Sequence, residues 1–166
     1  MTRLIHSQMD QRSNDSMRES IESLDEQFAN LHRRSCELIE QLSAEQLYQK
    51  LPEPADSCAE QVLRSAAIVE RAFGGLTANL WDDPFEWTLP ETLSTPAKVI
   101  QYLAEVEDTR GIAFQLFKTD QDLRREIMTP AGTTQILPFL LDTIERARHH
   151  QQRAVTAFDR LKSTDH

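Results

Sequence analysis

Residues 57–81 read SCAEQVLRSAAIVERAFGGLTANLW. Ser57 and Glu60 make a capping box, in which each side chain satisfies the other residue's backbone N–H at a helix start. Behind it, Cys58, Val62, Ser65/Ala66, Val69, Ala72/Phe73, Leu76 and Leu80 recur every three or four residues. That period places them on one helix face. A helix from about Cys58 to Trp81 follows. Gly74-Gly75 fall inside it and cost about 1 kcal/mol each relative to alanine. They mark either close helix packing or a weak point.

Upstream, Met17, Ile21, Leu24, Phe28, Leu31, Leu38 and Leu42 step by fours and threes, with Ser35 in the missing slot. This predicts a first helix from about Ser16 to Leu42, whose narrow stripe suits packing along another helix at a shallow angle. Ser43-Ala-Glu-Gln46 opens a short helical turn with a second capping box. Residues 1–15 show no periodicity and read as a flexible arm, which leaves 16–162 as the folded domain.

Downstream, residues 82–94 (DDPFEWTLPETLS) form a long connection. Trp81, Phe85 and Trp87 cluster there, as an end cap, a lid or a dimer contact. Thr95-Pro96 is a cap followed by proline at the first helical position. The third helix runs to about Phe117 through Val99, Leu103, Val106 and Ala113. Thr119 to Ile127 read as another short helix. After the turn Pro130-Ala-Gly-Thr-Thr134, a fourth helix carries Leu137, Leu140/Leu141, Ile144, Ala147/Arg148, Gln151, Val155 and Phe158, and ends near Leu161. Pro138 removes an early donor, so the regular helix is expected to start there. Ser43-x-x-x-Leu47 and Thr119-x-x-x-Leu123 keep the offset of Ser57 and Thr133. A helix, short-helix, helix unit used twice explains this, and so do recurring capping residues.

The fold class is therefore all-α, with four long helices and short extra turns. A chain of 166 residues supports one core. Its net charge of -9 argues against nucleic acid and anionic membranes, which both attract clustered Lys and Arg. The apolar run Ile136 to Leu141 is too short to span a bilayer. Residues 1–15 lack a signal-peptide apolar core, so a cytoplasmic location is expected. Cys36 and Cys58 both fall in helical patterns and read as buried free thiols of a reducing compartment.

The fourth helix carries the residues with chemistry. His149 and His150 are one apart, so their rings point about 100° apart around the helix. Arg146 lies one turn before His150, and Glu145 one turn before His149. A His-x-x-x-His pair would be a two-ligand metal clamp. Arginine has no lone pair to give and cannot stand in for a ligand. Glu145 and His149 can ligate only with a one-residue shift of register. Both pairs also suit a solvated helix face.

The order of these pieces resembles the DinB/YfiT-like superfamily over roughly residues 20–160. The resemblance rests on Leu42-Ser-Ala-Glu-Gln-Leu47, Ser57-Cys-Ala-Glu60, Glu70-Arg-Ala-Phe73, the Pro130-Ala-Gly-Thr-Thr134 turn and His149-His150. It implies a four-helix bundle in up-down-down-up order with long connections, commonly found as a homodimer in bacteria. It also implies a divalent metal held by one histidine of the second helix and a His-x-x-x-His pair of the fourth. Those positions fall on Arg64, Arg146 and His150 here. Each follows a core position (Val62, Ile144, Arg148) by two, so they share a flank. Counting back from Glu70 instead gives Ser65 beside Glu145 and His149.

Either register leaves too few ligands for a site that needs three. The expectation is a degraded metal centre with no bound cofactor. Arg64, Arg146 and His150 would form a cationic pocket for a small anion, a carboxylate or phosphate. The competing expectation is that the arginines pair with Glu60, Glu70, Glu107 or Glu145 and rebuild a bundle interior. The alternative is an active hydrolase or thiol-linked transferase holding zinc, nickel or manganese through Glu145, His149 and His150. A third reading is a structural dimerisation module.

Overall fold

The computed structural model describes residues 17–52, 56–83 and 92–165. The arm read over residues 1–15 lies outside them, as do Phe85 and Trp87. The described elements are α1 (Glu19–Glu40), α2 (Ala44–Leu47), α3 (Cys58–Ala78), α4 (Pro96–Phe114), a 3-10 turn (Asp120–Arg124), β1 (Glu126–Thr129), β2 (Gly132–Gln135) and α5 (Ile136–Thr164). The chain is mostly helical, as an all-α reading requires. Among the described residues no helix is long and apolar enough to cross a membrane.

The expected caps set most helix starts. At α3, Glu60 N–H donates to Ser57 Oγ at 3.2 Å and Ser57 N–H donates to Glu60 Oε2 at 2.9 Å. Ser43 and Gln46 repeat the box at α2. Thr95 caps α4, and Pro96 occupies its first turn. The start of α1 is different, because Arg18 at its N-cap offers no side-chain cap. Instead the Asp120 carboxylate, from the 3-10 turn, accepts from Ser20 N–H and Ile21 N–H at 3.1 Å each. Arg18 in turn donates to Phe117 O and Lys118 O, just beyond the end of α4.

Several boundaries differ from the sequence expectation. Met17 precedes α1 and is exposed. The helix α3 stops at Ala78, because Asn79 turns left-handed at φ 54° and Leu80 N–H donates back to Gly74 O. Leu80, expected in the core, is 60% exposed. The helix α5 starts at Ile136, two residues before Pro138. The proline is tolerated because first-turn N–H groups have no acceptor within the helix.

The segment from Thr119 to Ile127 is a 3-10 turn followed by the strand β1, not one short helix. The expected Pro130 to Thr134 turn is the tip and second strand of a hairpin. Register pairs Glu126 with Gln135 and Thr129 with Gly132. Gly132 adopts φ 118°, which side chains rarely tolerate. Thr133 therefore belongs to a strand and is no counterpart of the cap Ser57. The helical fold thus carries one small sheet that the sequence analysis missed.

The core has an aromatic end and an aliphatic end. Phe28, Phe73 and Phe114 meet at ring distances of 5.1 to 5.7 Å. Such pairs add about 0.5–1.5 kcal/mol each beyond their area burial. Leu38, Ile39, Leu47, Val62, Leu63, Val99 and Leu161 fill the other end.

Each of α1 and α3 packs against both α4 and α5. Gln61 meets His150 and Ser65 meets Ala147, so α3 and α5 run in opposite directions. Gln151 reaches Leu31 O and Ser35, and Lys162 reaches Gln41 O, so α1 and α5 run the same way. Glu70 meets Tyr102, and Phe73 meets Phe114, so α3 and α4 also run together.

One core slot holds a cation. Arg110 is 4% exposed, lies over the Phe28 and Phe114 rings, and is ion-paired to Glu107 and Asp25. Burial pulls its pKa down, but the hydrogen bonds from the guanidinium to Glu107 and Asp25 outweigh that and raise it.

Candidate functional site

The capping box that starts α3 also positions the first residue of the site. It sets Gln61 one turn into the helix, facing α5, where it is 1% exposed. Gln61 Nε2 donates to the Asp56 carboxylate at 2.5 Å, and Gln61 Oε1 lies 2.8 Å from His150 Nδ1. An ionised carboxylate only accepts hydrogen bonds. Asp56 therefore takes the amide N–H of Gln61, and the amide oxygen is left for His150. That oxygen needs a donor, so the His150 proton resides on Nδ1. The Nε2 lone pair of the neutral ring stays available.

His150 is half-buried, and its pKa is lowered. Burial is the largest cause, followed by the charges of His149, Arg153, Arg64 and Arg146. The flank expected from sequence thus brings Arg64, Arg146 and His150 into one electrostatic neighbourhood. Arg64 is half-buried and Arg146 exposed. Arg148, read as a core position, is exposed, and its guanidinium donates to Gln27 Oε1 across to α1. The buried positions beyond Gln151 are Ala154, Ala157 and Leu161, while Val155 is half-buried.

Three participants escaped the sequence analysis. Arg153 follows His150 by three and was legible as a neighbour on the same flank. Gln61 and Asp56 were not, because they matter only through a pairing between α3 and α5.

The shifted set is scattered by comparison. Ser65 is buried, and its Oγ donates to Ala147 O at 2.8 Å. His149 is exposed and lines a polar groove between α1 and α5 with Arg33, Arg34 and Arg148. Glu145 is exposed.

The donor chemistry decides what the main site can hold. In the register that the sequence resemblance implies, His150 Nε2 is one donor, and Arg64 and Arg146 supply none. Among the described residues no three His, Cys, Asp or Glu side chains come together. These residues do not fit a three-ligand metal. Both cysteine thiols are shifted away from the thiolate form. Burial pushes the Cys58 thiol up to about 12. The Cys36 thiol is raised by burial and by Glu40, Glu107 and Glu37, although His32 lies 3.7 Å away.

A cleft of about 370 Å³ opens beside Arg146, between α3, the start of α5 and the hairpin. Ile68, Arg71, Trp81 and Phe139 line it along with Arg146. Arg64 and His150 lie outside its lining. Trp81, grouped by sequence with Phe85 and Trp87 in the connection, stands on this cleft. A scan against protein families finds no match to this chain, and no curated protein matches it.

Proposed function

We propose that this chain is a DinB/YfiT-like, up-down-down-up four-helix bundle that binds a small anion where its relatives hold a metal. Arg64 and Arg146 supply the charge, Arg153 adds to it, and His150 supplies a fixed ring. The helix directions support the bundle order, since α1 runs with α5 and α3 runs with α4. The observation that carries the anion reading is the gathering of Arg64 from α3 and Arg146 and Arg153 from α5 around His150, close enough for their charges to lower its pKa behind the effects of burial and His149. The cationic field that disfavours the imidazolium favours a carboxylate or phosphate. Guanidiniums bind such groups through two parallel N–H bonds. The Gln61 hydrogen bond to Nδ1 is the arrangement that metal-ligating histidines use to aim Nε2. It supports descent from a metal site, while the arginines support the change of ligand.

Two measurements test this. Calorimetric titration with inorganic phosphate is expected to show binding that Arg64→Ala or Arg146→Ala weakens at least tenfold. After incubation with zinc, nickel or manganese and desalting, elemental analysis is expected to find no stoichiometric metal. Near-stoichiometric retention that is lost in His150→Ala would overturn the proposal and favour the metal-dependent enzyme.

A further inference from the structure

The cleft beside Arg146 has an apolar half whose placement is written into α3. Trp81 lies edge-on to Phe139 with ring centroids 5.7 Å apart. Its ring also covers Gly75 so closely that a Cβ there would stand 2.3 Å from ring carbons. Glycine inside a helix costs about 1 kcal/mol relative to alanine. Here that cost leaves the indole a seat on the helix backbone. Trp81 Nε1 donates to Asn79 Oδ1 at 2.8 Å, so the polar edge of the indole is satisfied. Ile68 extends the same wall.

The polar half carries four charged side chains beside threonines of the hairpin and of α5. Arg71 Nε donates to Trp81 O at 2.6 Å, which ties this guanidinium to the aromatic wall. Arg146 stands on the lining from α5, and hairpin residues 129–134 complete it. Asp83 and Asp142 are on the lining as well. Two carboxylates balance two guanidiniums, so the lining carries no net charge, and a carboxylate is held there by directed, paired guanidinium N–H bonds rather than by surplus positive charge. A mostly apolar cavity with a few placed polar groups is the usual form of a small-molecule site, and this volume is near the small end of the ~300–1,000 Å³ range.

We infer that this cleft binds small monocarboxylates with an apolar aromatic or branched body. The carboxylate meets Arg146 and Arg71, and the body lies against Trp81 and Phe139. The inference rests on the anion reading through Arg146 and adds an apolar half that the reading does not need.

The test is calorimetry on the full chain with four probes: 3-phenylpropanoate, 3-phenylpropanamide, acetate and inorganic phosphate. Phenylpropanoate is expected to bind at least tenfold tighter than acetate and than its neutral amide. Thr133→Phe, on an exposed strand lining the cleft, is expected to cost phenylpropanoate at least tenfold and to leave phosphate unchanged. Trp81→Leu is expected to act the same way, and circular dichroism of both variants checks the fold. Phosphate binding with phenylpropanoate no tighter than acetate overturns the cleft and leaves the anion site standing. Equal binding of acid and amide overturns the carboxylate role, and indifference to Thr133→Phe overturns the location. Tight, Thr133-sensitive phenylpropanoate binding without any phosphate binding upholds the cleft and overturns the Arg64–His150 site.

Discussion

His150 shows how single residues in this protein are set by partners on another helix. Its lowered pKa has a consequence for stability, and the sign can be worked out. In the unfolded chain a histidine titrates near its ordinary value of 6.5. The folded protein holds His150 below that, so in the interval the unfolded chain binds more protons. The contribution is full above pH 6.5 and is lost as pH falls through the folded value. The expected outcome is a Tm that drops on acidification below pH 6.5 more steeply in wild type than in His150→Asn, measured by scanning calorimetry at several pH values. A bound phosphate should move the His150 titration upward, as followed by imidazole proton NMR. Arg146 and His150 were legible as a pair because helical spacing puts residues four apart on one side, whereas Arg64, on another helix, came only from the resemblance. The role of Gln61 was not, because a glutamine beside a capping box carries no signal of its partner on α5. Arg110 was legible and still overlooked. It fills the step between Val106 and Ala113, where the period demands a buried residue and the chain supplies a charge.

At the scale of elements, the long helices could be read and the hairpin could not. Capping boxes at Ser43 and Ser57 and the Thr95-Pro96 start are local signals, and each sits at an observed helix start. The strands β1 and β2 span four residues each, too few for a period of two to stand out. The caps of the 3-10 turn also imitate a helix start. Asp122 accepts from Lys118 N–H and Thr119 N–H, which hold its pKa below the usual carboxylate range. The start of α1 was misplaced for a related reason, since its cap comes from a distant element. Asp120→Ala should cost about 1 kcal/mol, as the loss of a helix N-cap does. Asp120→Asn should recover only part of it, because one amide oxygen replaces two carboxylate oxygens that each accept a separate N–H. Urea unfolding of the two variants against wild type checks this. Equal stability of Asp120→Ala and wild type would show that the carboxylate is not the cap.

For the molecule as a whole, polar side chains tie helices together across both parts of the core. Tyr102 packs against both clusters and donates to Glu70 Oε2 at 2.6 Å. Arg110 ties α4 to α1 through Asp25 at the aromatic end. Removing one partner of a buried ion pair typically costs about 3–5 kcal/mol. Here Asp25 is half in solvent and Glu107 keeps partial access, so Arg110→Ala should cost less, about 2 kcal/mol, much of it from the lost contact with Phe28 and Phe114. Arg110→Met with Glu107→Gln should restore most of that stability in denaturant titrations, because it refills the slot without stranding a charge. The contact that completes α1 has a further consequence in time. Ser20 and Asp120 are 100 positions apart in the chain. A growing polypeptide therefore leaves its first helix unfinished until the turn after α4 has emerged, and an amino-terminal fragment lacking that turn should expose α1 to proteases at its first turn.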